Sequence, residues 1–252
     1  MAETLILAAM GGLLIGVLLT LFGGGGSVLA TPWLVYVIGV GDVHLAIGTS
    51  AAAVAVNAAA GLAVQARAGQ VKWPCASVFA IAGLMGALSG AHLAKSVDGA
   101  NLLDWFAVAM IAIAVSMLVP RASEGSPDVR LQPAMVLKLA PVGLLAGLAA
   151  GFFGIGGGFL IAPGLMASTG MTLANAAASS LVSVTLFGGA TSLSYALEGQ
   201  VDGVLFIGLV AGGVAGALIA APLSRHLAAR LPLARALFAG MICLVAAYIL
   251  LR

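Results

Sequence analysis

Residues Gly151 to Pro163 read Gly-Phe-Phe-Gly-Ile-Gly-Gly-Gly-Phe-Leu-Ile-Ala-Pro, and residues Thr20 to Pro32 read Thr-Leu-Phe-Gly-Gly-Gly-Gly-Ser-Val-Leu-Ala-Thr-Pro. In each stretch a cluster of glycines follows a long apolar run and precedes a short apolar run that contains proline. Between apolar flanks, a backbone breaks only where protein or a water-filled cavity satisfies the freed N–H and C=O groups. Two such breaks indicate the substrate site of a membrane transporter.

The composition excludes a soluble fold. Of the 252 residues, 62% are hydrophobic and 7% are charged, whereas a soluble domain has about 25% charged residues. We therefore expect an all-α polytopic membrane protein. The net charge of +2 and the lack of a basic run in the sequence argue against a nucleic-acid partner. The expected partners are the lipid bilayer and a small substrate, and the oligomeric state cannot be read from the sequence.

Ten apolar segments follow one another along the chain. A membrane helix needs about 20 residues, so eight segments are long enough to span and two, which contain Pro32 and Pro163, are short. The first segment lacks the positively charged start of a secretory signal, and we interpret it as a membrane span. The segments are Leu5–Phe22, Val28–Val40, Val43–Val64, Pro74–Ala94, Leu102–Val119, Ala134–Phe153, Phe159–Thr169, Thr172–Leu197, Gly203–Ser224 and Pro232–Leu251.

The two halves of the sequence match each other. A shift of 131 residues places Phe22 on Phe153 and Pro32 on Pro163, together with most of the surrounding glycines. In a sequence this rich in apolar residues, some apolar matches are expected by chance, but the matches of glycine and proline in one register are not. We predict an internal duplication. Its parts are a first transmembrane repeat at 1–119, a polar linker at 120–133 and a second transmembrane repeat at 134–252.

The orientation of the repeats depends on whether the two short segments cross the membrane. If they dip in and return, the repeats are parallel; if they cross, each half has five spans and the repeats are inverted. Crossing places eight basic residues on one side against two, and no crossing gives six against four. By the positive-inside rule, the stronger bias predicts inverted repeats with the linker in the cytoplasm and both termini outside. The eight residues are Arg67, Lys72, Arg121, Arg130, Lys138, Arg225, Arg230 and Arg235.

The sequence carries no signature of an enzyme. Cys75 and Cys243 lie far apart within apolar runs, so we expect free thiols rather than a metal site. The glycine cluster after Phe153 lacks the spacing and the acidic residue of a dinucleotide-binding loop, and no hydrolase or metalloprotease motif occurs. We predict neither catalytic activity nor a metal or cofactor.

The duplicated glycine pattern resembles that of a known family. Phe-Gly-(Gly/Ile)-Gly-Gly-(Ser/Gly), followed about six residues later by proline and in the first half by Ala-Ile-Gly-Thr-Ser at residues 46–50, resembles the sulfite exporter TauE/SafE family. The resemblance covers the whole chain, including its size and its central linker. It implies the transport of sulfur-containing anions such as sulfite, thiosulfate or sulfonates, without identifying which one.

The residues also suggest where an anion could bind. Glycines let backbone N–H groups point into a cavity, and helices that restart at Ser27 and Gly158 would present N–H groups and a positive dipole end. The following helices add small polar side chains, with Thr49 opposite Ser180. We expect a neutral ring of these groups to bind a small anion and release it. The candidate substrate-binding residues are Gly24, Gly25, Gly26, Ser27, Thr49, Ser50, Asn57, Gly156, Gly157, Gly158, Asn175, Ser179, Ser180 and Ser183.

Other interpretations of these residues remain open. The hydroxyl groups could serve only to bond neighbouring helices or their own backbone. Lys95 and Arg225 occupy equivalent positions and could attract anions or simply reach the membrane interface. No acidic residue lies deep within a span, which disfavours a buried carboxylate proton relay.

We therefore predict a secondary transporter of small, sulfur-containing anions in the cell membrane, the inner membrane of a bacterium. The alternatives are a passive anion channel and a non-transporting membrane scaffold.

Overall fold

The computed structural model of the chain describes residues 2–118, 125–154, 158–227 and 231–251, and these residues are almost entirely helical. Their β structure is confined to one isolated bridge between Ser126 and Met171. The elements are α1 (Ala2–Phe22), a 3-10 helix (Gly23–Leu29), α2 (Ala30–Pro32), a π-helix (Trp33–Ile38), α3 (Val43–Arg67), α4 (Trp73–Ala94), α5 (Gly99–Leu118), α6 (Pro133–Phe153), α7 (Gly158–Thr169), α8 (Leu173–Ala196), α9 (Gly203–Leu227) and α10 (Leu231–Leu250).

Six of the described helices are long and apolar enough to cross a membrane, namely α1, α3, α4, α6, α8 and α9. Shorter apolar helical stretches lie at Gly26–Ile38, Asn101–Ala112 and Leu160–Thr169. Large apolar side chains such as Ile81 and Met85 are mostly exposed on the outside of the bundle, as expected where a helix contacts lipid. The chain is an all-α polytopic membrane protein, as the composition predicts.

Both predicted breaks in the helices occur. In the first half, α1 gives way to the 3-10 helix at Gly23, and the π-helix ends at Gly39 with φ +83°. In the second half, α6 ends at Gly154 with φ +66°, and α7 ends before Gly170 with φ +69°. A left-handed backbone conformation costs glycine little because it has no Cβ. The positions of these glycines therefore set where the helices stop.

Two pairs of helices pack backbone to backbone. A Cβ on Gly12 would collide with the carbonyl group of Leu209, and a Cβ on Gly16 would collide with the carbonyl group of Gly213. Because the residue numbers of both partners rise together, α1 lies parallel to α9. Such close approach is typical of membrane helices with small residues at their interface. The same parallel packing joins α6 to α4. There the colliding pairs are Gly143 with Phe79, Gly147 with Gly83, and Gly151 with Ala87.

The central helices α3 and α8 run in opposite directions. Gly48, near the start of α3, packs against Tyr195, near the end of α8, and Gly61 faces Leu181. The sequence match pairs α3 with α8, and on that pairing the two halves are oppositely oriented. Parallel repeats of four spans each would make these two helices run in the same direction, so this packing contradicts that alternative. The origin of the halves by duplication stays a prediction.

The broken segment between α1 and α3 crosses the bundle. A Cβ on Gly26 would meet the backbone of Leu18 and Leu19, near the end of α1. The indole nitrogen of Trp33 donates to the carbonyl oxygen of Leu7, near the start of α1, at 3.0 Å. Residues 23–38 therefore run back along α1 and carry the chain to the other face, which is what oppositely oriented halves require.

The bundle has two faces, which we name by their contents. At the linker face, the Ser126 N–H donates to the carbonyl oxygen of Gly170 at 2.8 Å and the Asn175 side chain donates to that of Pro127 at 3.1 Å. The start of α4 and the end of α3 also lie there. At the distal face lie the start of α9 and an ion pair between Lys95 and Glu198.

Candidate functional site

The first glycine cluster forms a helix instead of a bare turn. Gly24, Gly25, Gly26 and Ser27 all lie in the 3-10 helix, and the following α-helix begins at Ala30 rather than at Ser27 as expected. A 3-10 helix bonds its N–H groups to carbonyl groups three residues earlier, which leaves fewer donors than an open loop would. Gly26 and Ser27 are fully enclosed by protein.

The second glycine cluster is described only in part. Gly158 is buried and begins α7, as the sequence predicts, so the N-terminus of a 12-residue helix lies inside the bundle. Gly156 and Gly157 lie outside the described residues. Just before them, a Cβ on Gly154 would collide with Ile47 of α3, which places this break close to the helix that carries Thr49 and Ser50.

The hydroxyl groups of α3 make structural contacts towards the distal face. Thr49 Oγ1 accepts a hydrogen bond from the backbone N–H of Asp202 at 2.9 Å and so fixes the start of α9. Ser50 Oγ donates to the carbonyl oxygen of Ile47 and lies 2.9 Å from Thr31 Oγ1. Sequence analysis missed Thr31, although its place beside Pro32 in the first glycine stretch is a usable signal.

The hydroxyl groups of α8 make the corresponding contacts towards the linker face. Ser179 Oγ accepts a hydrogen bond from the backbone N–H of Lys72 at 2.9 Å and fixes the start of α4. Ser180 Oγ donates to the carbonyl oxygen of Ala177 at 2.8 Å. The Ser179 contact repeats the Thr49 contact after a shift of 130 residues in both partners. In these helices the corresponding residue of Thr49 is therefore Ser179, one position from the match with Ser180 that the sequence suggests.

These two groups of hydroxyls do not line one ring. Gly48 packs against Tyr195, and the rise of α8 between Ser180 and Tyr195 is about 22 Å at about 1.5 Å per residue. Thr49 and Ser50 therefore lie far from Ser179 and Ser180 along the bundle. Because the corresponding helices are antiparallel, equivalent positions fall at opposite ends. A role for either group in substrate binding stays a prediction.

Two polar residues lie at mid-depth with unpaired atoms. Asn57, in the middle of α3, is 5% exposed; its amide donates to the carbonyl oxygen of Leu209 at 3.4 Å, and its Oδ1 has no partner among the described residues. Ser183 is fully buried in α8, and its Oγ likewise has no partner in the described part of the chain. An unpaired buried polar atom costs about 1–3 kcal/mol, so these atoms are available for a ligand or for water.

A crevice of about 160 Å³ lies in the half of the bundle nearer the linker face, and Asn57 contributes to its lining. On α3 the lining extends from Asn57 at mid-depth to Gln65 near the linker face, its rim includes the exposed side chains of Val64 and Leu218, and none of its described residues is charged. The lining residues are Leu19, Thr20, Asn57, Ala60, Gly61, Val64, Gln65, Ala177, Leu181, Val214, Ala217 and Leu218. The crevice is bounded by α1, α3, α8 and α9, so both halves of the chain contribute to it.

Comparisons with known proteins agree with this architecture. The family model described as sulfite exporter TauE/SafE matches residues 8–249. A probable membrane transporter protein of Xylella fastidiosa strain Temecula1 is 41% identical over 99% of this chain and 96% of its own length. A probable membrane transporter protein of Methanocaldococcus jannaschii is 29% identical over 79% of this chain and 76% of its own. No solved structure matches the chain significantly. With the family model covering nearly all of its length, this chain is a membrane transporter protein that belongs to the sulfite exporter TauE/SafE family.

Proposed function

We propose that this protein is a secondary transporter that carries a small, sulfur-containing anion across the cell membrane of a bacterium. The observation that carries the proposal is an uncharged crevice between the two halves, lined at mid-depth by Asn57, whose Oδ1 is buried without a partner among the described residues. Secondary transporters bind their substrates near mid-depth at the interface of their two halves. The choice of a sulfur-containing anion rests on the name of the family.

Neutral donors suit an anion that must bind and then leave. The Asn57 amide and the Ser183 hydroxyl can donate hydrogen bonds, and the N-terminus of α7 at Gly158 adds a positive dipole end. Of the acidic residues in the described part, Asp42, Asp98, Glu198 and Asp202 lie at or beyond the ends of helices, and Asp104 is exposed in the second turn of α5. The mechanism we propose therefore needs no carboxylate within the membrane.

Reconstitution into liposomes tests the substrate class. Purified protein should carry sulfite, thiosulfate or sulfoacetate in a saturable manner, with sulfate and inorganic and organic cations as the comparison panel. Accelerated exchange, when the same anion is present on both sides, would identify a carrier, whereas a channel gives no such acceleration. Flux of cations alone would contradict the proposal, and no flux of any solute would favour a scaffold.

The linker face is proposed to be cytoplasmic. Among the described basic residues, Arg67, Lys72, Arg130 and Lys138 lie at or near that face, while Lys95 lies at the distal face, and basic residues favour the cytoplasm. A reporter fused after Arg252 should then behave as periplasmic. A cytoplasmic reporter would reverse the assignment of the two faces.

A further inference from the structure

At the distal face an ion pair joins the two halves. Lys95 follows α4 in the first half and Glu198 follows α8 in the second, and their charged atoms are 2.7 Å apart. The two side chains differ in exposure, at 17% for Lys95 and 53% for Glu198. The cation is thus held within the protein, while the carboxylate can rotate into water.

Lys95 keeps its position without Glu198. Its ammonium group also donates to the carbonyl oxygen of Ser194 at 2.7 Å and lies 5.2 Å from the centre of the Tyr195 ring. An ammonium group has three donors, and Ser194 and Glu198 use two of them. The contacts with the carbonyl group and the ring would hold the cation in place after the carboxylate leaves.

Two further polar groups belong to the rings that pack next to this cation. Tyr195 is fully buried, and among the described residues its hydroxyl group has no hydrogen-bond partner. Its ring stacks on that of His44 at 6.0 Å, and Nδ1 of His44 is also unpartnered in the described part of the chain. The group here that can bind an oxyanion is the Lys95 ammonium group itself, through charge-assisted hydrogen bonds.

The carboxylate has no counterpart at the linker face. A shift of 130 residues, which relates the Thr49 and Ser179 contacts, brings Lys95 onto Arg225 and Glu198 onto Ala68. Corresponding positions of the two halves therefore carry a cation at both faces but an acidic partner only at the distal face. Glu198 is an addition to one end of the bundle rather than a feature of the shared architecture.

We propose that Lys95 is an anion-binding residue at the distal face and that Glu198 is a tethered carboxylate that occupies it when this face is closed. An anion that arrives from the distal side takes the place of Glu198 at Lys95 and thereby breaks the ion pair between the halves. The exchange replaces one oxyanion by another at the same ammonium group, which keeps an anionic partner throughout. This inference rests on the proposed transport of an anion.

The test measures the initial rate of thiosulfate uptake from each face in turn. The protein is reconstituted in a known orientation in vesicles, as wild type or as E198Q, K95Q or K95R. K95Q should raise the KM from the distal side on the order of tenfold, because it removes a charge-assisted hydrogen bond that is partly screened by water. E198Q should lower that KM severalfold, because the competing carboxylate is gone. K95R should retain most of the affinity, and the KM from the linker side should stay within about twofold.

The control variant is K138Q, which removes a cation near the linker face in α6 and should leave the distal KM unchanged. Wild-type flux with an unchanged distal KM in both K95Q and E198Q would overturn the inference and leave the proposed function standing. The inference would also be overturned if K95Q and E198Q both lost thermal stability and showed an equal rise of the KM, because the ion pair would then have only a structural role. An inactive wild-type protein across the whole anion panel would overturn the proposed function and this inference with it.

Discussion

The two ends of the bundle differ in what fills the space between the corresponding helices. At the linker side, Asn57 and Gln65 line an open crevice. At the distal side the corresponding positions, 130 residues later, hold Phe187 and Tyr195, whose rings are fully buried. Corresponding positions thus line a crevice where they are polar and pack into the bundle where they are aromatic. Side-chain size and polarity at these two positions therefore distinguish the two halves.

Removing the Phe187 ring should have the largest effect on this difference. The ring packs against Gly83 between α8 and α4, so F187A should lower the free energy of unfolding by about 3 kcal/mol. This value is at the low end for a buried Phe, because in a bilayer the substitution removes packing contacts and not a gain from transfer out of water. It should also let solute leak past the distal side. Thermal unfolding in detergent and leak of trapped thiosulfate measure the two effects, with F187L as the milder control. An unchanged leak in a folded F187A protein would mean that other groups close this face.

Substitution of Asn57 should abolish transport without harming the fold. N57L replaces the amide by an apolar group of similar size, which removes an unpaired buried oxygen and the weak bond to Leu209. We expect uptake to fall about 10- to 100-fold, as for the loss of one or two buried donors to the substrate, while thermal stability is kept or raised. The matched control is Q65L at the mouth of the same crevice, which should lower uptake much less. Full uptake in N57L would place the substrate path elsewhere.

The first glycine cluster should tolerate added side chains less well than an open loop would. Any Cβ on Gly26 meets the backbone of Leu18 and Leu19, so G26A should destabilise the protein by about 1–3 kcal/mol through overpacking. G189A is the control, because nothing lies within 4 Å of a Cβ at Gly189 in α8. Flux and thermal unfolding of the same preparations decide between a packing role and a substrate role: lost flux with unchanged stability in G26A would favour contact with the substrate.

The smallest effects should come from the two hydroxyl groups that fix the starts of α9 and α4. T49V and S179A each remove one hydrogen bond to a backbone N–H, and each should cost about 1 kcal/mol of stability. Similar losses are expected because the two contacts correspond. S89A is the control, since that exposed hydroxyl bonds only to its own helix at Met85. A large loss of transport in S179A with unchanged stability would restore a direct substrate role for this hydroxyl.

The site residues predicted from the sequence fall into two structural groups, and their role in substrate binding stays a prediction. Asn57 and Ser183 were chosen as polar groups in apolar helices, and both have unpaired buried atoms. Thr49 and Ser179 were chosen by the same criterion but are engaged with the backbone N–H groups of Asp202 and Lys72. The sequence could not separate the two cases, because the partner of each hydroxyl lies more than a hundred residues away and depends on how helices pack.

The sequence by itself determined the membrane class, the helices and the positions of their breaks. These features follow from local composition: long apolar runs can only be helical in lipid, and glycines such as Gly39 and Gly154 end them in a left-handed conformation. The tertiary structure alone decided that Thr49 and Ser179 bond to the backbone N–H groups of Asp202 and Lys72, and that Lys95 meets Glu198. The physical reason is that these contacts join distant parts of the chain, which pack by backbone approach at glycines, and no local pattern specifies which glycine meets which carbonyl.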